Sequence, residues 1–319
     1  MIVCPCCKGK LDKKKSSNKF FLVCKNINCN LYRSKFPILR QRPVLIPFGF
    51  EYCIFKKSNN FININLGSQK RIIDSKKKKI RAYLQNIFYG RNIETLRNFE
   101  HLYQLFNYKN KVLIIGGGTI GSGMEEFLNK CRHKEICFES IDVYFSDNLT
   151  AIADAHYLPY KDKSFDAVII QAVLEHVINP QLVVKEIKRV LVNKGLVYAE
   201  TPFLQSVHEG PFDFSRFTHS GQRWLFREFE EISSGAHQGA FSSSLFIFSY
   251  ALSGLFRNPK IAILIRLIFT RLCAFLDKLV FCKYNIDIAC GCYFLGQKKV
   301  NARKNNYWIV DYYKGSQLK

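Results

Sequence analysis

The chain lacks an apolar run that reads as a convincing membrane span. Its opening, MIVCPCC, holds no secretory hydrophobic segment. Its most apolar stretch, residues 240–281, is broken by Asn258-Pro259 and then by Arg266, Arg271, Asp277 and Lys278, so it reads as no convincing span. Without a secretory segment, the twelve cysteines belong to a reducing compartment, as ligands or core residues rather than disulfides. Acid is scarce in one region. Residues 1–111 hold 24 Lys/Arg against 5 Asp/Glu, whereas the remainder holds 24 against 20. The basic field of this +23 chain therefore sits in its N-terminal third. It invites an anionic partner such as RNA or a membrane surface, with plain lysine solubilisation as the alternative.

What is present points to a folded chain. At 48% hydrophobic and 23% charged residues it is globular rather than disordered. Its 319 residues suffice for one full α/β domain plus a smaller module.

The organising stretch is VLIIGGGTIGSG, Val112 to Gly123. Val112–Ile115 reads as a buried parallel strand, followed by a turn with Gly116, Gly117, Gly118, Gly121 and Gly123, then a helix-prone segment from Met124 to Lys130. Glycines let a ligand approach the backbone closely, and a helix start attracts negative charge. Alone, the pattern fits a dinucleotide fold, a methyl-donor site or a tight turn with no ligand. The next strand ends near Asp142, where a carboxylate can accept hydrogen bonds from ribose hydroxyls, with Glu139 as the competing candidate. Then come Asp154-Ala155, a strand opened by Phe165-Asp166, and Glu175-His176 expected on a helix. Gln181–Leu191 carries apolar residues at 182, 183, 184, 187, 190 and 191, a helix face, before the strand Leu196–Ala199.

The order VLIIGGG, IDV, ADAHYLP, SFDAVIIQAVLEHV and VLVNKGLVYAETPF resembles class I S-adenosylmethionine-dependent methyltransferases of the methyltransferase-11 kind, over roughly residues 95–235. The resemblance implies an α/β fold with a Rossmann-like seven-stranded sheet and S-adenosylmethionine as cofactor. It implies that Gly116, Gly117 and Gly118 line the methionine part of the donor, Asp142 the ribose, and Asp154 with Ala155 the adenine. Gln171 would open the loop facing the transferred methyl group. One departure stands out: the acidic residue usual near the end of the first strand is Ile114 here. No carboxylate therefore stands at that position to meet the donor's amino group.

Residues 1–50 read as a zinc ribbon. Cys4 and Cys7 form a C-x2-C knuckle, and Cys24 and Cys29 follow the apolar strand Phe20–Val23, giving four thiolates for a structural Zn2+ ion. Cys6 competes with Cys7, and a metal-free cysteine-rich hairpin is the alternative. The module resembles the short ribbon of tRNA methyltransferase activators. Residues 51–110 form a basic helical connector, with a KKKK run at Lys76–Lys79, a helix from Ile80 to Phe88 and a second from Thr95 to Phe106.

The loop ETPFLQSVHEGPFDFSRFTHSG, Glu200–Gly221, lies just past a strand's carboxyl end and is dense in ionisable and aromatic residues. Such loops grip ligands, although an internal Asp213–Arg216 network would also account for it. Its pattern is similar to a subgroup of methyltransferases associated with surface-polysaccharide and other glycan pathways. His208, His176, Asp213 and Arg216 are the candidate catalytic residues, with His208 as base for a hydroxyl acceptor and His176 second. Residues 240–285 form an apolar helical insertion, acting as a lid or an interfacial pair of helices. A last strand, Ile286–Gly296, and a polar, frayed tail over 299–319 complete the chain. The catalytic domain is then 111–235 together with 286–298.

These observations predict a cytoplasmic methyltransferase of polysaccharide biosynthesis, in peripheral contact with the inner face of the membrane. It would act on a sugar, glycan or related small-molecule acceptor, lipid-linked acceptors included. The runner-up is an RNA (tRNA or rRNA) methyltransferase that docks RNA on its basic ribbon. The third reading is a catalytically inactive docking protein that keeps the fold.

Overall fold

The structure is a computed structural model that describes residues 2–16, 19–55, 92–119, 121–280, 282–299 and 307–317. The expected KKKK run and the helix from Ile80 to Phe88 lie outside the described residues.

The N-terminal module is a four-stranded antiparallel sheet in sequential order: β1 (Leu11–Ser16), β2 (Lys19–Cys24), β3 (Lys35–Leu39) and β4 (Arg42–Pro43). It does not stand apart from the rest of the chain. The Val3 N–H donates to Pro159 O at 2.9 Å, and the Leu45 N–H donates to Ile152 O at 2.7 Å. Lys8 pairs with Glu186 at 2.9 Å. Cys4, Cys24, Cys29 and Leu45 pack in the same apolar cluster as Leu158, Tyr160 and Val184.

Helix α1 (Ile93–Leu105) is capped by Asn92, whose side chain accepts the Thr95 N–H, and it buries Phe99 and Leu102. It leads into β5 (Lys111–Ile115), whose last four residues are all buried. After the glycine turn come α2 (Met124–Cys131), β6 (Cys137–Asp142), β7 (Ala151–Ile152) and β8 (Phe165–Gln171). Helix α3 (Pro180–Val190) has the Asn179 side chain as N-cap, Pro at its start and Lys188 and Arg189 in its last turn. It buries Val183, Val184, Ile187 and Val190 against the sheet and runs into β9 (Leu191–Pro202). Next follow α4 (His219–Leu225), β10 (Phe229–Gln238), the hairpin of α5 (Ala240–Leu255) and α6 (Pro259–Leu279), then α7 (Cys282–Asp287), β11 (Gly291–Lys298) and α8 (Trp308–Asp311).

The seven strands β5 to β11 form one sheet in the order β10-β11-β9-β8-β5-β6-β7. The pairs among β5 to β9 are parallel, and β11 is antiparallel to both of its neighbours. Continuous apolar strands such as Ala167–Ile170 are what a sheet covered on both faces requires. This is the mixed α/β, seven-stranded architecture expected from the motif order. In such sheets ligands sit outside the carboxyl ends of the parallel strands.

Several local expectations shift. Glu175-His176 sits on a 3-10 turn, Leu174–His176, rather than on an α-helix. The last strand begins at Gly291, because Cys282–Asp287 forms a helix first. The tail is not frayed over residues 307–317. Trp308 is buried with the Arg223 guanidinium 4.8 Å from its ring, and Arg223 donates to Tyr312 O at 2.9 Å. Among the described residues no helix is long and apolar enough to cross a membrane.

Candidate active site and metal centre

A cavity of about 840 Å³ opens at the carboxyl ends of β5, β6, β8 and β9. The glycine turn forms its floor. Gly116 has φ +82°, and a Cβ there would lie 2.3 Å from Val173 Cγ2. At Gly118 a Cβ would lie 2.6 Å from Asp142 Oδ2, because the Gly118 N–H donates to that oxygen at 2.9 Å. The turn is thereby held against the end of β6. Asp142 Oδ1 accepts the Tyr144 N–H at 3.1 Å, which fixes the carboxylate.

Asp154 forms the next wall and is 2% exposed. Its Oδ1 accepts the His156 N–H at 2.9 Å and His156 Nδ1–H at 2.7 Å, while His156 Nε2 accepts the Asn179 N–H at 3.2 Å. Asp154 Oδ2 is buried with no hydrogen-bond partner. A buried carboxylate oxygen left without a donor on a cavity wall is a vacancy for a ligand N–H. Gln171 Oε1 is unpartnered in the same way. These features suit an adenosine-bearing donor: a close backbone turn, a fixed carboxylate beside it and a buried acceptor beyond.

Glu200 is not among the donor-lining residues that the sequence motifs imply. It lines the cavity at the end of β9 and accepts from Thr95 Oγ1 at 2.6 Å, Gln171 Nε2 at 2.9 Å and Tyr198 Oη at 2.5 Å. Burial and this carboxylate push the Tyr198 hydroxyl well above its ordinary pKa, so the phenol stays protonated. Strand-end position was the available signal for Glu200, whereas Ile114 faces the cavity without charge.

Glu175 is fully buried and lines the cavity with His176 and His208. Its Oε1 lies 3.6 Å from His176 Nε2 and 3.5 Å from His208 Nε2, and neither carboxylate oxygen has a hydrogen-bond partner. His176 Nδ1 lies 2.7 Å from Phe212 O, which fixes that nitrogen as the N–H donor. The rings meet edge to face at 4.7 Å. The neighbouring Glu175 carboxylate raises the His208 pKa against the effect of burial.

Asp213 and Arg216 do something else. Burial alone would raise the Asp213 carboxyl, but hydrogen bonds from Arg216 and the His208 backbone hold it below its ordinary value. Arg216 grips Asp213 through both terminal nitrogens, and Asp213 Oδ2 accepts the His208 N–H at 2.8 Å. The Phe214 and Ser215 N–H groups both donate to Glu175 O, at 2.7 and 3.2 Å. The Asp213–Arg216 pair thus shapes the loop that presents His208. His219, in the same dense string, is buried away from the cavity, with Nε2 2.8 Å from Ser234 Oγ.

The second candidate centre is in the N-terminal module. The sulfurs of Cys4, Cys7, Cys24 and Cys29 all lie within 4.8 Å of one another. Cys4–Cys29 and Cys7–Cys24 separations are 3.8 and 3.6 Å. Tetrahedral zinc with bonds of ~2.3 Å requires sulfur edges of ~3.8 Å, so the four thiols fit. Cys7, rather than Cys6, belongs to the group.

Residues 120–199 match the family model of the methyltransferase domain. Those residues carry a methyltransferase domain. No curated protein matches the chain. Among solved structures it is similar to a SAM-dependent methyltransferase from Archaeoglobus fulgidus, at 14% identity and TM-score 0.42, over 68% of this chain and 99% of that one. It is also similar to a Haloferax volcanii complex containing the Trm112 methyltransferase activator, at 15% identity and TM-score 0.42, over 71% and 95%. Coclaurine N-methyltransferase bound to N-methylheliamine and SAH aligns at 13% identity and TM-score 0.41, over 75% and 85%.

Proposed function

We propose that this methyltransferase acts on a hydroxyl of a sugar or glycan precursor, presented on a lipid carrier. The observation that carries the reading is Glu175. A fully buried carboxylate with no hydrogen-bond partner faces two imidazole Nε2 atoms in the cavity that the glycine turn also lines. S-adenosylmethionine, when bound, supplies a methyl group already activated by its sulfonium charge.

The chain's own work is alignment and proton removal. Gly116–Gly118 would bring backbone against the donor, Asp142 would hold the ribose and Asp154 Oδ2 would accept from the adenine amino group. Glu200 supplies the negative charge for the donor's amino group that Ile114 cannot. With the donor bound, His208 Nε2 would take the proton of the acceptor hydroxyl as that oxygen receives the methyl group. Glu175 balances the resulting imidazolium. His176 Nε2 is the second acceptor available to that hydroxyl. Asp213 and Arg216 position His208.

The acceptor class rests on the loop and on the hairpin. Phe246 of α5 and Thr270 of α6 wall the cavity, while Ile247, Phe248, Leu264 and Ile268 of the same hairpin are exposed. An apolar surface at the mouth of the site suits an acceptor delivered from a lipid surface, with the exposed Arg257 and Lys260 beside it for anionic headgroups. A structural Zn2+ in the Cys4, Cys7, Cys24 and Cys29 cluster would hold the N-terminal module in its docked position.

The test supplies donor with a labelled methyl group to the full chain and a host extract, followed by fractionation. Label in lipid-linked glycan, lost in His208→Ala, supports the reading. Label in RNA overturns it in favour of docking on the ribbon's exposed lysines.

A further inference from the structure

We infer that Glu175, His176 and His208 form a binding site for a divalent transition-metal ion. The inference rests on the reading above that the acceptor's oxygen lies at this cluster, and it narrows the acceptor class. One ligand atom from each of the three residues lies within 4.8 Å of the other two. A carboxylate and two imidazoles on one side of a cavity, with the other side open, are the donor set that suits manganese, iron(II), cobalt or zinc.

Three observations go beyond the bare cluster. The first is the carboxylate. Glu175 is fully buried, and both of its oxygens lack a hydrogen-bond partner on the cavity wall. A buried anion left this way is costly unless something positive completes it. The second is the orientation of the imidazoles. His176 donates from Nδ1 to Phe212 O at 2.7 Å, which leaves its Nε2 lone pair directed to the Glu175 side. His208 keeps Nδ1 near Asp213 Oδ2, at 3.5 Å, with Nε2 again toward Glu175. Metal-binding histidines are held in this manner, through a carbonyl or carboxylate on the other nitrogen. The third is spacing. Bonds of ~2.1 Å imply edges between ligand atoms of ~3.0 Å in an octahedral site and ~3.4 Å in a tetrahedral one. The two edges to Glu175 Oε1 are 3.6 and 3.5 Å, so small rotations close the site.

The consequence for the acceptor is specific. An octahedral ion on three protein ligands keeps three positions open toward the cavity, enough for two neighbouring oxygens of one acceptor. The class named is therefore a vicinal diol or an α-hydroxy-acid unit of a sugar, rather than an isolated hydroxyl or an amine. A cation there also acidifies the coordinated hydroxyl. With the ion bound, His208 Nε2 is committed to it, and the hydroxyl proton leaves to water. Without the ion that acidification is lost and the transfer slows, His208 taking the proton itself.

The test uses the full chain as purified and Mn2+ as probe, because the four-thiolate centre selects softer ions. Titration followed by the electron paramagnetic resonance of free Mn2+ should show one bound ion per chain. Glu175→Gln and His208→Ala should each weaken that binding at least tenfold, with circular dichroism unchanged. Absence of Mn2+ binding, or affinity unchanged in Glu175→Gln, overturns the inference. Methyl transfer that persists in chelator at full rate also overturns it, while leaving the methyltransferase reading intact. Mn2+ binding that follows these variants, in a chain that transfers no label to any fraction, supports the metal site and removes the acceptor reading instead.

Discussion

Asp154→Asn separates a ligand-binding carboxylate from a structural one. The native Oδ1 caps the 3-10 turn Ala155–Tyr157 through two bonds, 2.9 Å from the His156 N–H and 2.7 Å from His156 Nδ1. An asparagine oxygen can keep both, so the turn and the fold should persist. The amide nitrogen then occupies the place of Oδ2, the buried oxygen with no partner. A donor now faces the adenine amino group, itself a donor. Losing a hydrogen bond to a charged acceptor costs about 1.5–3 kcal/mol. The dissociation constant for S-adenosylmethionine should therefore rise about 10- to 150-fold. Isothermal titration calorimetry with donor and with S-adenosylhomocysteine measures it, and both should weaken alike because both carry the adenine. An unchanged affinity for both ligands would refute the reasoning and reduce Asp154 to a turn cap.

Cys4→Ser should remove the metal of the four-cysteine cluster and lower the thermal midpoint by roughly 5–10 °C, since Cys4 packs in one cluster with Leu158 and Tyr160. Metal analysis and calorimetry check it, and unchanged metal content would contradict the zinc assignment. Acid should destabilise the fold in two windows. Burial, with Arg223 and Lys314 nearby, lowers His219 from 6.5 to about 4, so between those values the unfolded chain binds a proton that the folded one refuses. Stability should fall by at most roughly 3 kcal/mol as pH drops through that range. Burial would raise Glu231, but Arg223, Ser234 and Lys314 hold it down to about 2, so its contribution, present above 4.5, is lost as pH falls below 4.5. Denaturant midpoints for His219→Asn should fall less steeply than those of the native chain between pH 6.5 and 4.5, and an unchanged slope there would count against the account. Finally, the full chain should sediment with vesicles containing roughly a third anionic lipid, and Phe248→Glu should release it. Equal sedimentation of the two would separate the hairpin from membrane binding.

The parts of the site legible in the sequence are those encoded locally. The strand–glycine turn–helix unit, Asp142 and Asp154 follow one another in chain order at strand ends, and parallel pairing brings strand ends to one edge. What escaped depends on tertiary contacts. Glu200 differs from other strand-end carboxylates only in receiving Thr95, Gln171 and Tyr198. The exposure of Glu175 to two imidazoles, with no donor to either oxygen, follows from how residues 208–216 fold back onto it. His208 and His219 look alike in one polar string, yet one lines the cavity and the other pairs with Ser234. The tail reads as polar because its anchor, Arg223, lies 85 residues before Trp308.

The most direct measurement of the central claim is a crystal structure with S-adenosylhomocysteine. The account predicts the adenine amino group on Asp154 Oδ2, the ribose on Asp142, and the sulfur facing the space between the glycine turn and Glu175, His176 and His208. A ligand seated elsewhere, or a sulfur turned away from those three side chains, would contradict it.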